Sequence, residues 1–197
     1  MERRQLKLNI YSLSVGGSSL VFLLALSYYF PFSPLKLPFI LLFIPAVVLF
    51  CFGVSLPKGE IQEVPFFPLA TAAIILYGPA AGAWLVSFSF FLSAIFHPQR
   101  RKDILSKDLA KSLFYLSILL LNMGWLNYSA GMAGLVWIHA SHFAPPQECY
   151  RHIPALLLLG ITYVVINTFS ESLAGSIWEG ASFWQIWLSN RSWNILF

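Results

Sequence analysis

Charged residues are scarce in this chain. Only 10% of its 197 residues are Asp, Glu, Lys or Arg, whereas a soluble domain usually has about 25%. Hydrophobic residues make up 58%, more apolar surface than a protein with a water-exposed exterior can bury. The composition excludes an ordinary soluble domain and predicts an all-α integral membrane protein, since a lipid bilayer removes the need for a polar exterior.

Cysteines and catalytic motifs are also scarce. Cys51 and Cys149 lack the spacing of a metal site, and two cysteines form no disulfide scaffold. The sequence contains no GxxxxGK[ST], HExxH or GxSxG motif and no acidic cluster for a divalent metal. No basic and aromatic module for nucleic acid is present either. We therefore predict a protein that is not an enzyme, has no cofactor and does not bind nucleic acid.

We predict one transmembrane domain over residues 1–197. Its hydrophobic runs predict about seven membrane helices and the start of a further span. The predicted segments are Leu8–Phe30, Leu37–Leu56, Phe66–Tyr77, Pro79–Phe96, Asp108–Leu126, Ala130–His142, Pro154–Trp178 and Ala181–Phe197. Asn127, Tyr128 and Ser129 are interpreted as a break between the fifth and sixth segments. Because the last segment ends soon after it turns apolar, we expect the chain to be truncated before its last span.

Gly78-Pro79 interrupts a long apolar stretch, and proline disfavours helix at the residue before it. A single kinked span would place the basic residues after Phe96 outside the cell. A short helical hairpin places them in the cytoplasm together with the N-terminus, which is the usual side for basic loops. We therefore predict the hairpin, and with it an even number of crossings before residue 98.

Two small groups of residues have structural interpretations. Gly78 and Gly82 form a GxxxG pair, which favours close packing of the hairpin helices. Arg100, Arg101 and Lys102 are interpreted as determinants of topology and as contacts for anionic lipid.

Polar residues inside apolar segments are the candidates for a ligand site, since a charge in a membrane is costly and often functional. Glu171 shares a helical face with Asn167 and Tyr163. Asn122 and Tyr115 lie on a polar face of the segment from Asp108. A ligand or proton site between these two helices is one interpretation, and simple hydrogen bonding between helices is the other.

His139 and His142 are spaced to share a helical face and are weak candidates for a metal, haem or pigment. No third ligand with convincing spacing is present, so no metal is predicted, and a location at the lipid headgroups also explains histidines here.

The order of these features resembles the N-terminal multi-pass membrane sensor region of bacterial HD-GYP and GGDEF signalling proteins. The resemblance lies in three stretches of sequence. They are Leu56–Gly59 with Pro68–Ala83, the basic helix entry Lys107–Lys111, and Tyr163–Thr168 with Trp178–Gly180 and Phe183–Trp187. The output domain of those proteins is absent from this sequence.

The resemblance implies a multi-pass sensor domain in the bacterial inner membrane that relays a membrane or small-ligand signal to a cytoplasmic output domain or partner. Besides the bilayer, we expect a protein partner or a homo-oligomer. Two alternatives stay open. One is a solute-binding subunit resembling the substrate-binding component of energy-coupling-factor vitamin transporters. The other is a non-catalytic subunit of a redox or photosynthetic membrane complex.

Overall fold

The computed structural model describes residues 2–32, 37–52, 67–97, 101–102, 104–106, 108–142 and 152–189. Within these residues the chain forms helices and no strands. The helices are α1 (Glu2–Tyr29), α2 (Leu37–Phe52), α3 (Phe67–Tyr77), α4 (Pro79–Phe96), α5 (Leu109–Ser141), α6 (Ile153–Glu179) and α7 (Phe183–Ser189).

Four of these helices, α1, α4, α5 and α6, are long and apolar enough to cross a membrane. The apolar helices α2 and α3 are shorter, at 16 and 11 residues. An 11-residue helix is only about 17 Å long, against a hydrocarbon core of about 30 Å. The helical content and the four long apolar helices are compatible with a membrane protein.

The expected break at Gly78-Pro79 is confirmed. Gly78 lies between α3 and α4 with φ 90° and ψ 179°, a conformation that glycine alone adopts readily. Pro79 begins α4, where its missing N–H costs no hydrogen bond. The two glycines of the GxxxG pair have different roles. A Cβ at Gly82 would overlap the side chain of Ile74, whereas the space beside Gly78 is open. Close packing therefore explains Gly82, and the turn explains Gly78.

The predicted break at Asn127, Tyr128 and Ser129 is wrong. Helix α5 is continuous over 33 residues and runs through all three positions. It contains no proline, and the side chain of Asn127 is hydrogen bonded to Ser87 of α4 and Ser19 of α1, so this amide does not interrupt the helix. The described residues therefore contain six apolar helices before residue 180, where the sequence predicts seven segments.

Helix α5 is the centre of the bundle and packs against α1, α3, α4 and α6. It runs parallel to α1, because Asn9 bonds to Ser117 and Ser19 bonds to Asn127. It runs antiparallel to α6, because Phe114 lies against Trp178 and Trp137 lies against His152. Helix α2 lies on the outside, against the α3–α4 hairpin.

Glycines on α5 allow its neighbours to approach closely. A Cβ at Gly124 would lie 2.7 Å from Val15 Cγ1 of α1 and 3.1 Å from the Val15 carbonyl oxygen. A Cβ at Gly134 would lie 2.7 Å from Pro79 Cα at the start of α4. Small residues thus set the spacing between helices, as they do in membrane bundles.

The continuous α5 changes the expected position of the residues after α6. The starts of α1 and α5 and the ends of α4 and α6 lie together at one end of the bundle, here called the basic end. The guanidinium of Arg4 donates to the carbonyl oxygen of Glu179 at 3.0 Å. Seven membrane helices before residue 179, as the sequence predicts, would leave the residues after α6 at the end opposite the N-terminus. In the structure Glu179 lies at the same end as Arg4, because α5 is one continuous helix.

Helix α7 packs against α6 through aromatic residues. The indole N–H of Trp187 donates to Thr168 Oγ1 at 3.2 Å, and Phe169 lies against Phe183 with ring centroids 4.9 Å apart. The start of a further span that the sequence predicts after Ser189 lies outside the described residues, and so does the loop from residue 57 to residue 63.

Candidate functional site

Two of the three residues that the sequence places on a polar face of α6, Asn167 and Glu171, bond to each other. The side-chain amide of Asn167 donates to Glu171 Oε1 at 2.8 Å, one helical turn away. Both side chains are half-buried. Among the described residues, Glu171 is the one acidic side chain in the interior of an apolar helix, about 12 Å from the end of α6 at a rise of 1.5 Å per residue. The pair therefore forms a polar site on an otherwise uncharged stretch of helix.

Tyr163 lies on the same helix but faces the core. Its side chain is 6% exposed and belongs to the main apolar cluster of the bundle. Its ring meets that of Phe67 edge to face, with centroids 5.1 Å apart. Its hydroxyl is buried and has no hydrogen-bond partner. Tyr163 is thus two turns from Glu171 and in a drier environment.

The two residues expected opposite Glu171 have other contacts. The side-chain amide of Asn122 donates to the carbonyl of Ile118 at 2.8 Å. Tyr115 lies beside Phe114, and Lys111 Nζ is 5.6 Å from its ring centroid. The observed hydrogen bond of Asn122 and the ring contacts of Tyr115 are therefore made within α5 and not with Glu171.

A second polar site, which sequence reasoning missed, lies at the junction of α1, α4 and α5. Asn127 is completely buried, and its side-chain oxygen accepts a hydrogen bond from Ser87. Its amide N–H lies 3.5 Å from Ser19 Oγ. The sequence signal was present, because Asn127 is an amide in a long apolar segment without proline. The prediction of a break at Asn127 places it outside the core, and the structure corrects this.

The basic residues lie where topology determinants are expected. Arg101 and Lys102 are exposed and follow the end of α4, and Arg100 lies outside the described residues. The residues between α4 and α5 contact the start of α5, where Ser112 Oγ donates to the carbonyl oxygen of Ile104. Asp108 caps α5 by accepting from the backbone N–H of Ala110 at 3.0 Å. Among the described residues, the opposite end of the bundle has no Lys, Arg, Asp or Glu.

His139 and His142 are exposed at that opposite end, on the last turn of α5 and just after it. His139 Nδ1 lies 2.8 Å from the carbonyl oxygen of Leu135, so this nitrogen already has a partner on its own helix. An open groove of about 370 Å³ runs beside it. Its lining residues all belong to α5: Met132, Leu135, Val136, His139 and Ala140. Within the described residues, no three His, Cys, Asp or Glu side chains come together as a metal site.

Comparison with protein-family models, with curated proteins and with solved structures found no match to this chain.

Proposed function

We propose that this chain is a non-catalytic sensor or signal-input domain of a bacterial inner membrane protein. In this proposal it responds to a membrane or small-ligand signal and relays it to a cytoplasmic output domain or partner. The observation that carries the proposal is the Asn167–Glu171 pair, hydrogen bonded at 2.8 Å and half-buried inside an apolar helix.

The cost of placing Glu171 there supports a functional role. A carboxylate near the centre of a membrane helix costs about 2.5–3.5 kcal/mol on insertion scales. A single hydrogen bond between side chains in a membrane contributes only about 0.6–2 kcal/mol. A pair that served only to satisfy two side chains on one helix would be formed at lower cost by two amides. Binding a cation, a proton or a hydrogen-bonding ligand is a reason to keep the acid.

The position of the pair supports relay to the cytoplasm. Glu171 lies two turns before the end of α6, where Glu179 accepts from Arg4 of α1. Arg4, Lys7, Arg101, Lys102 and Lys111 belong to this same basic end. Basic loops are retained in the cytoplasm, so we propose that the basic end and the N-terminus face the cytoplasm. A change at Glu171 would then reach the cytoplasmic surface over a distance of about 12 Å.

The second candidate is a solute-binding subunit resembling the substrate-binding component of energy-coupling-factor transporters. It is favoured by the six apolar helices before residue 180 and by the short α3 ending at Gly78-Pro79. In that case the partner would be a pair of ATPases instead of a signalling domain.

One experiment distinguishes the candidates. The full chain is purified from its native membrane, and the proteins and small molecules retained with it are identified by mass spectrometry. A retained protein with an HD-GYP or GGDEF domain supports the sensor, and a retained ATPase pair supports the transporter subunit. Retention of redox or pigment proteins would contradict both.

The same preparation tests the site. Glu171→Gln keeps the size of the side chain and removes the charge, and we expect it to abolish retention of the small molecule while the melting temperature changes little. Glu179→Gln is the matched control, because it makes the same change on the same helix at an exposed position. Equal retention by the parent and Glu171→Gln would show that the pair has only a packing role.

A further inference from the structure

Helix α7 lies across α6 and does not run along it. Phe169 of α6 meets both Phe183 and Trp187 of α7, with ring centroids 4.9 and 6.2 Å away. These two α7 residues are one helical turn apart, about 6 Å along the α7 axis. Both nevertheless contact the same turn of α6, since Trp187 also donates to Thr168, the neighbour of Phe169. The axis of α7 is therefore steeply inclined to that of α6.

A third contact shows which side of α7 faces the basic end. Ile186 packs on Gly175, where a Cβ would lie 3.4 Å from Ile186 Cγ2. Gly175 is six residues nearer the basic end than Phe169, about 9 Å along α6. Ile186 therefore points toward the basic end, whereas Phe183 and Trp187 point toward the middle of the bundle.

The residue types of α7 differ between these two sides. At 3.6 residues per turn, the side toward the middle of the bundle consists of Phe183, Trp184, Trp187 and Leu188, and the side toward the basic end consists of Gln185, Ile186 and Ser189. Trp184 is 61% exposed and Leu188 is 76% exposed, so α6 leaves both uncovered. The side toward the middle of the bundle is thus entirely apolar and partly uncovered, and the other side carries the polar groups.

Charged residues mark the polar zone at the basic end. Arg4 donates to Glu179 at the end of α6, and Lys7 lies about 4.5 Å further into the bundle along α1. On α1, α5 and α6, Glu171 is the one described charged residue deeper than Lys7. A headgroup layer is about 5–8 Å thick, since a bilayer of about 40–45 Å has a hydrocarbon core of about 30 Å. The stretch from Arg4 to Lys7 matches one such layer.

The apolar side of α7 lies deeper than this layer. Ile186 meets α6 about 7.5 Å from Gly180, close to the level of Lys7. Phe183 and Trp187 meet α6 about 16–18 Å from Gly180. Without the headgroup layer, the apolar side is about 10 Å inside the hydrocarbon region. Helices that lie in the membrane plane bury their apolar side by about 5–10 Å.

We propose that α7 is an in-plane membrane helix whose exposed apolar side, Trp184 and Leu188, inserts among the acyl chains of the leaflet at the basic end. Lipid is the partner because this side has no charge and lies below the charged residues, while Gln185 is on the headgroup side. Tryptophan is enriched at membrane interfaces, and the N–H of Trp187 has its acceptor in Thr168. The inference rests on a membrane location and not on the choice between sensor and transporter subunit.

Spin labels on the two sides of α7 test the proposal. Leu188→Cys and Gln185→Cys are labelled in a background without Cys51 and Cys149, and the full chain is placed in vesicles of phosphatidylcholine and phosphatidylglycerol. Electron paramagnetic resonance then measures collisions with oxygen, which concentrates among acyl chains, and with a nickel complex, which stays in water. We expect the label at Leu188 to collide mainly with oxygen. The label at Gln185, three residues away, should collide several-fold more often with the nickel complex than the label at Leu188.

Two reference positions give each outcome a meaning. Val21→Cys lies in the middle of α1 at a position that is 68% exposed, and Lys102→Cys lies at the exposed basic segment after α4. With Val21 protected from the nickel complex, a label at Leu188 as accessible to it as the label at Lys102 overturns the proposal. Equal accessibility at Leu188 and Gln185 also overturns it, because an in-plane helix has two different sides. Nickel access at Val21 would instead refute the membrane location itself, and with it the proposed function.

Discussion

The contact between α4 and α5 at Gly134 makes a quantitative prediction. A Cβ placed on Gly134 would lie 2.7 Å from Pro79 Cα and 2.8 Å from Pro79 Cβ. Ordinary contacts of a Cβ begin at 3.4 Å, so Gly134→Ala forces the two helices about 0.7 Å apart. The obstacle includes backbone at the start of α4, so a rotation of a side chain cannot relieve it.

Two effects of opposite sign determine the magnitude. Overpacking a well-packed core costs about 1–3 kcal/mol, whereas alanine is more favourable than glycine in a helix by about 1 kcal/mol. The net effect of Gly134→Ala is a destabilisation of about 0–2 kcal/mol. Gly17→Ala is the control, because a Cβ at Gly17 meets nothing within 4 Å. At Gly17 the higher helix propensity of alanine acts alone, so Gly17→Ala stabilises α1 by up to about 1 kcal/mol.

The assay is thermal unfolding of both purified variants in one detergent at one heating rate, since membrane proteins often unfold irreversibly. The two variants differ by about 1–3 kcal/mol, and a chain of this length shifts by about 2–4 °C per kcal/mol. Gly134→Ala is therefore expected to melt about 2–12 °C below Gly17→Ala. Equal melting temperatures would refute the argument that close helix contact sets the spacing at Gly134.

Two further predictions concern topology and the hairpin turn. In a cysteine-free background, we expect Ser106→Cys and Ser182→Cys to react with an impermeant maleimide from one side of the membrane and His142→Cys from the other. Labelling of positions 182 and 142 from the same side would contradict the single crossing of α5. Gly78→Ala places a Cβ on a residue with φ 90° and is expected to cost about 1–3 kcal/mol. A melting temperature equal to that of the parent would remove the backbone explanation for this glycine.

The sequence predicted best where the signal is local. Gly78-Pro79 marks a turn by its own backbone preferences, and the structure places the break there. The spacing of Asn167 and Glu171 predicts one helical face, and the two side chains bond across one turn. Helical spacing does not show what lies opposite that face. The choice of Asn122 and Tyr115 as partners of Glu171 therefore has no local basis and stays a prediction, and the contacts seen for both residues lie within α5.

The main error came from a residue whose partners are distant in sequence. Asn127 has low helix propensity, and the three polar residues from Asn127 to Ser129 predict a break. In the fold its amide lies between Ser87 and Ser19, 40 and 108 residues away. No local pattern shows such partners. This one wrong break added a helix to the predicted count and placed the residues after α6 at the wrong end of the bundle.

The central position of α5 has a consequence for the order in which this protein assembles. Helix α1 packs mainly on α5, and the contact from Ser19 to Asn127 joins residues 108 positions apart. Ribosomes add about 5–20 residues per second, so about 5–20 s pass between the synthesis of α1 and that of its partner α5. During that time the face of α1 around Gly16 and Ser19 is not covered by α5. Slowing translation before residue 109 would lengthen this interval.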